Sequence, residues 1–128
     1  MQVKLTNSTG QTEGGTQWGE GIRHEATGKG FMPCTDGVIH FYKVGDCPEL
    51  ALFLNPIHAN FDNPRIYEFQ SEDRTDTDGL KYWCKAGTTL RLLNVVSPTI
   101  KQWVAFAILC AKAVYPDPDF NRWADNWL

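Results

Sequence analysis

The side chains of this chain that could recognise a ligand lie on segments with the alternating pattern of β-strands. They carry guanidinium, imidazole, phenol and amide groups, and a cleft lined by such groups suits a nucleotide or another phosphate-bearing ligand. The alternative is that they occupy the solvated face of an antiparallel sheet. The six candidate ligand-binding residues are Arg23, His24, His40, Tyr42, Arg91 and Asn94.

A second set of candidates forms an aromatic stripe near the end of the chain. Phe120, Trp123 and Trp127 recur at the spacing of one helical face. Exposed, this stripe would bind a partner protein, because aromatic anchors dominate interface energetics. The alternatives are that it packs in the core or joins copies of the chain into a homo-oligomer.

Metal and nucleophile motifs are missing from the sequence. Cys34 and His40 stand too far apart for a zinc ligand pair, and no CxxC pair occurs. The run Asp76-Thr77-Asp78-Gly79 is only a fragment of a calcium loop, since Arg74 takes the first ligand position. Neither a GxSxG elbow nor a phosphate loop is present. We therefore expect no catalytic residue, metal or cofactor.

Composition and charge narrow the function classes. A net charge of −3 and the absence of any basic run argue against a nucleic-acid partner. The longest apolar stretch, 104–111, is too short to span a bilayer, and the N-terminus has no secretory h-region. The four cysteines are therefore expected to be free thiols in a reducing compartment. These features predict a soluble, cytoplasmic protein with no membrane partner.

The hydrophobic periodicity predicts an α+β fold. Residues 1–17 are polar and glycine-rich, which indicates a flexible N-terminal tail before a single domain over 18–128. That domain is a mainly antiparallel sheet with a short helix after the second strand and two C-terminal helices packed on it. The predicted strands cover 22–26, 38–43, 66–70, 80–85 and 88–96, and the predicted helices cover 49–54, 100–115 and the segment from Pro118.

Two connections carry specific turn predictions. The acidic segment 71–79 is expected to be a solvated loop, and Ala86-Gly87 is expected to be a hairpin turn.

Pro56 is expected to stop the first helix. A capping box formed by Thr99 and Gln102 predicts the start of the long C-terminal helix.

Several short motifs are spread over residues 20–128. They are Gly28-Lys29-Gly30-Phe31-Met32-Pro33-Cys34, Asn55-Pro56-Ile57-His58-Ala59-Asn60, Asn63-Pro64-Arg65, Asp78-Gly79-Leu80-Lys81, Cys84, Thr89-Leu90-Arg91 and Trp123-Ala124-Asp125-Asn126-Trp127-Leu128. Together they resemble a group of uncharacterised proteins found in bacteriophage and bacterial genomes. The resemblance implies a phage or mobile-element protein and assigns no activity.

Four segments of the first half follow one another in a recognisable order: Ile22-Arg23-His24, Gly30-Phe31, Glu49–Leu54 and Ile66-Tyr67-Glu68. This order resembles that of ADP-ribosyltransferase-like folds. The resemblance implies an enzyme that uses NAD, although no catalytic Glu follows a turn motif late in the chain.

Two functional hypotheses follow. The first is a small non-catalytic binding protein of phage type, such as an anti-CRISPR or a nucleotide-signal sponge, that inhibits host defence. It would act stoichiometrically in the host cytoplasm on a host protein or a small nucleotide. The second is a divergent ADP-ribosyltransferase-like enzyme. Convergence of Arg23, His24, Tyr42 and Glu68 on one cleft would favour the enzyme.

Overall fold

A computed structural model describes residues 1–128, which fall into two compact units, Met1–Val96 and Ser97–Leu128. The predicted single domain over 18–128 includes parts of both units, and residues 1–17 belong to the first unit. The chain has five antiparallel strands and three α-helices, which confirms the α+β class.

The first unit contains all the strands. They are β1 (Gln2–Thr6), β2 (Ile22–Glu25), β3 (Ile39–Lys43), β4 (Arg65–Thr77) and β5 (Tyr82–Leu92). A 3₁₀ turn covers Glu13–Gly15, and helix α1 (Leu50–His58) connects β3 to β4.

Four of the strands pair in a closed ring, in the order β1, β3, β5, β4 and back to β1. β1 pairs with β3 on one side and β4 on the other, and both of these pair with β5. β2 pairs with residues 86–89 of β5. The result is a strongly curved sheet with an inner and an outer face, and residues alternate between the two.

Each face of the sheet carries a hydrophobic cluster. On the outer face, α1 packs against strand residues through Ala51 and Leu52. The inner face contains the second cluster. The outer cluster comprises Val3, Leu5, Tyr42, Val44, Ala51, Leu52 and Ile66, and the inner one comprises Trp18, Ile39, Phe41, Phe69 and Cys84.

The prediction of a flexible tail over 1–17 is wrong, because β1 lies inside the sheet. Val3 and Leu5 face the outer cluster, and their residue accessibilities are only 0% and 4%. Five consecutive residues of β1 pair with β4. The short apolar alternation Val3-Lys4-Leu5 outweighs the polar composition of the residues that follow, since all of β1 pairs with β4 and its first two residues also pair with β3.

The hairpin between β4 and β5 differs from the prediction. Residues 71–77 continue β4, and the connection is the tight segment 78–81 around Gly79. Gly87, expected in a turn, lies within β5, where a Cβ atom would come 2.2 Å from the ring of Phe69. The glycine is there because an aromatic ring fills the space, not because the chain turns.

Helix α1 runs past Pro56 to His58, beyond the predicted end at Leu54. The side chain of Asn55 holds the following loop: its Nδ2 donates to the carbonyl of Phe61 at 3.0 Å, and its Oδ1 accepts from the Phe61 N–H at 2.9 Å. These two bonds fix the end of the helix and thereby the position of His58.

The second unit is a pair of helices, α2 (Ile100–Val114) and α3 (Pro118–Trp127). The predicted capping box of Thr99 and Gln102 is confirmed, and Asp117 caps α3 by accepting from the Phe120 N–H at 2.8 Å. An ion pair between Lys112 and Asp125 joins the two helices. No helix has the length and apolar character needed to cross a membrane.

Candidate ligand-binding site

The ladder between β1 and β3 stops early. Only Gln2 and Val3 pair, with Lys43 and Tyr42. Continued by two residues, the antiparallel register would bring the Leu5 N–H to the carbonyl of His40. Instead the strands separate, and the Nζ of Lys4 donates to that carbonyl at 2.6 Å.

A cavity of about 840 Å³ opens beside this gap. Its lining comes from both strands, the segment 12–18, residues 24–27 and 34–36, and the end of α1. The volume falls within the range of small-molecule pockets, roughly 300–1,000 Å³. All three histidines of the chain, His24, His40 and His58, line it.

Trp18 forms an aromatic wall of the cavity and has a residue accessibility of only 3%. Its backbone N–H donates to the carbonyl of Gly10 at 2.7 Å, and its Nε1 donates to the Thr12 hydroxyl at 3.3 Å. The ring meets His24 edge-on, with centroids 4.6 Å apart. The N-terminal loop thus holds a large apolar face beside Lys4, whose Nζ lies 5.0 Å from the ring centre.

Tyr42 and His58 form another part of the lining. Their rings stack with centroids 5.7 Å apart, and the Tyr42 hydroxyl lies 3.0 Å from Nδ1 of His58. Burial raises the pKa of Tyr42 to about 12, so the phenol stays neutral. Burial, together with the charge of Lys81, lowers the pKa of His58. Both side chains therefore offer neutral hydrogen-bonding groups at pH 7.

His40 is also neutral. Burial, and then the positive charges of Lys4 and Lys81, lower its pKa to about 4. Its Nε2 lies 3.1 Å from the backbone N of Cys34 and accepts that N–H, which assigns the ring proton to Nδ1. His40 thereby fastens the loop before β3 to the strand.

Lys4 places a buried positive charge beside the cavity. The residue is only 7% exposed, and desolvation lowers the pKa of its ammonium to about 8. The carbonyl of His40 is its hydrogen-bond acceptor, and it forms no ion pair. A buried charge without a counter-ion is unusual, because desolvation is then uncompensated.

The remaining charged groups of the lining are more accessible. The Nζ of Lys81 donates to Sγ of Cys34 at 2.9 Å. Three exposed carboxylates, from Glu13, Glu25 and Asp36, also line the cavity.

Three of the six predicted ligand-binding residues, His24, His40 and Tyr42, are brought together here. The other three, Arg23, Arg91 and Asn94, do not line the cavity. The Nε atoms of Arg23 and Arg91 pair with Glu72 at 2.7 Å and Glu68 at 2.6 Å, and Asn94 is exposed. Arg23 lies outside the cavity because neighbouring residues of a strand point to opposite faces, and its neighbour His24 faces the cavity.

Sequence reasoning missed Lys4, Trp18 and His58 as site residues. His58 was part of a recognised motif without an assigned role. The available signal for Lys4 was a charged residue between Val3 and Leu5, where an inward-facing strand position should be apolar. Trp18 lies just beyond the segment that was predicted to be a flexible tail.

The aromatic stripe lies in the second unit. Trp123 is 53% exposed, Phe120 and Trp127 are half-buried, and the Phe120 and Trp123 rings lie 5.8 Å apart. Self-association or partner binding through this helix stays a prediction.

The structure contains no group of three His, Cys, Asp or Glu residues that could hold a metal ion. All four cysteines are free thiols.

The four residues that would support the enzyme hypothesis do not converge. His24 and Tyr42 line the cavity, whereas Arg23 and Glu68 lie elsewhere in the ion pairs with Glu72 and Arg91. The ADP-ribosyltransferase-like alternative therefore has no geometric support.

Comparison with protein-family models, curated proteins and solved structures found no match to the chain. The resemblance to the phage and bacterial group stays a prediction.

Proposed function

We propose that this chain is a non-catalytic binding protein that holds one small molecule in the cavity between β1 and β3. The observation that supports this proposal is the cavity itself. It combines a volume of about 840 Å³ with aromatic and polar side chains that the strands and the end of α1 contribute to its lining.

A planar heterocycle such as a nucleobase suits these walls. Trp18 and the stacked pair Tyr42–His58 line the cavity, so a flat ligand held there would meet aromatic side chains. His40, His58 and Tyr42 are neutral, so they can exchange hydrogen bonds with uncharged ring atoms without placing charge against them. Of the two partners predicted from the sequence, a small nucleotide is therefore favoured over a host protein.

The titration properties favour binding over catalysis. A general acid or base works best with a pKa near the working pH. His40, with a pKa of about 4, and Tyr42, with a pKa of about 12, lie far from neutrality on opposite sides. We propose stoichiometric sequestration, in which the ligand is withdrawn from solution and left intact.

The proposed biological setting is the cytoplasm of a host cell, where a phage-encoded protein would remove a nucleotide signal used in defence. This setting rests on the sequence resemblance alone. The binding proposal does not depend on it.

Equilibrium binding to a panel of mononucleotides, cyclic dinucleotides and NAD tests the proposal. We expect at least one to bind at one site per chain and to raise the melting temperature, by the free energy that ligand binding adds to the folded state. Tyr42→Phe removes a hydroxyl from the cavity and should weaken binding about 3- to 10-fold, the range of one net hydrogen bond.

Tyr82→Phe is the matched control, because Tyr82 does not line the cavity and its ring contacts Lys43 and Phe41. Equal weakening by both substitutions, or no binding by any member of the panel, would contradict the proposal. Release of nicotinamide from NAD would instead support the enzyme hypothesis.

A further inference from the structure

Lys4 has more hydrogen-bonding capacity than the protein uses. An ammonium group carries three N–H donors. One donates to the carbonyl of His40 at 2.6 Å, and the indole face of Trp18 lies 5.0 Å from Nζ. No side-chain acceptor and no carboxylate engages the other two donors, although Lys4 lines the cavity.

Satisfying the His40 carbonyl does not by itself account for a lysine at this position. A continued β1–β3 ladder would satisfy the same carbonyl with the backbone N–H of Leu5 and without any charge. The ammonium is instead buried at a cost in desolvation, which its lowered pKa expresses. A charge kept in a cavity at such a cost points to a counter-charge that arrives with the ligand.

None of the other titratable groups around the cavity supplies the counter-charge of Lys4. Cys84, which faces Lys4 from β5, has a pKa raised by burial to about 11 and remains a neutral thiol. The lining carboxylates of Glu13, Glu25 and Asp36 are solvent-exposed, and Glu25 lies 3.6 Å from Arg23. Water screens exposed carboxylates, so they do not neutralise a buried ammonium.

We infer that the ligand of the proposed site carries an oxyanion, a phosphoryl or carboxylate group, that accepts hydrogen bonds from the Lys4 ammonium. This inference rests on the proposed binding function and specifies the part of the ligand that Lys4 holds. Hydrogen bonds between charged groups are about twice as strong as neutral ones, so the oxyanion contributes much of the affinity.

A pair of probes that differ only in the oxyanion tests the inference. The affinities of adenosine and adenosine monophosphate are measured for the wild type, Lys4→Met and Lys43→Met. In the wild type, the phosphate should strengthen binding about tenfold or more. Lys4→Met removes the charge while keeping a long apolar side chain, and it should abolish this gain.

Lys43→Met is the matched control. Lys43 is also a strand lysine beside an aromatic ring, Tyr82, but it is exposed and lies outside the cavity. It should keep the full gain from the phosphate. Equal binding of adenosine and its monophosphate to the wild type would overturn the inference and leave the proposed binding function standing.

A second measurement needs neither the adenine ring nor a folded variant. The side-chain resonances of Lys4 in the wild type are followed during addition of inorganic pyrophosphate or benzoate, with sodium chloride at equal ionic strength as control. A saturable shift with pyrophosphate identifies a phosphoryl site, and one with benzoate identifies a carboxylate site. If neither oxyanion shifts Lys4 more than chloride does, the inference is wrong.

Discussion

The Nζ of Lys4 lies 2.6 Å from the carbonyl oxygen of His40, where an uninterrupted β1–β3 ladder would place a backbone donor. This contact connects the fold to the site. It satisfies a strand carbonyl that the separating strands leave open, and it holds a positive charge at the edge of the cavity.

The first prediction concerns alkaline pH. Lys4 has a folded-state pKa of about 8 against 10.5 unfolded, so the folded protein binds fewer protons between these values. Stability contributed through Lys4 therefore rises with pH across this window. The free energy of unfolding of the wild type, relative to Lys4→Met, should increase by roughly 3 kcal/mol between pH 7 and 10.5.

Comparison with Lys4→Met removes opposing contributions. Cys84 and Tyr42 have raised pKa values of about 11 and 12, so their stabilising contributions fall at high pH in both proteins. Denaturant unfolding at several pH values gives the difference. If the difference in unfolding free energy between the two proteins does not change with pH, Lys4 is not a buried, unpaired ammonium. The other titratable groups around the cavity, present in both proteins, are His24, His40, His58, Cys34, Lys81, Glu13, Glu25 and Asp36.

The second prediction concerns acid. The pKa of His40 is lowered to about 4, so the unfolded state takes up a proton first as the pH falls below 6.5. The stability associated with neutral His40 is present above pH 6.5 and is lost towards pH 4. His40→Gln should flatten the decline in unfolding free energy over this range. His58→Gln should change the slope in the same direction, because the pKa of His58 is also lowered. An unchanged slope in His40→Gln would show that burial does not lower the pKa of His40.

The third prediction tests the packing of β5. A Cβ atom on Gly87 would come 2.2 Å from the ring of Phe69 and 2.9 Å from the carbonyl of Gln70. Gly87→Ala should therefore destabilise the protein by about 1–3 kcal/mol through overpacking. Thr88→Ala, one residue further along the same strand, is the control and should cost less. A neutral Gly87→Ala would mean that Gly87 lies in the turn predicted from sequence.

The fourth prediction separates the outward-facing arginines from the site. Arg91→Ala breaks an exposed ion pair with Glu68 and should change the free energy of unfolding by less than about 1 kcal/mol. Neither Arg91→Ala nor Arg23→Ala should alter ligand affinity. A large loss of affinity in either variant would contradict this prediction and would support the ligand-binding role of the arginines that was predicted from the sequence.

Local patterns predicted much of the fold. The α+β class, strands β2 and β3, and the capped helices α2 and α3 follow from alternation and from capping residues, which act over a few neighbouring positions. The course of β4 and β5 did not follow from such patterns. The acidic residues 71–77 form a strand because β5 pairs with them, which is a long-range interaction.

For a related reason, the sequence predicted only some of the residues that line the site. Residue types identified His24, His40 and Tyr42, but the face on which each residue lies depends on strand register. Lys4 and Trp18 were missed because their segment had a polar composition, whereas its burial is set by pairing with β4 and by hydrogen bonds within the loop.

The titration of the Lys4 side chain in the free wild-type protein, followed by NMR of its ε-methylene group, tests the central claim most directly. We predict a pKa of about 8, with Lys43 and Lys85 observed in the same spectra. A pKa near 10.5 for Lys4 would mean that its ammonium is solvated or already paired, and the charge that we assign to ligand binding would not be there.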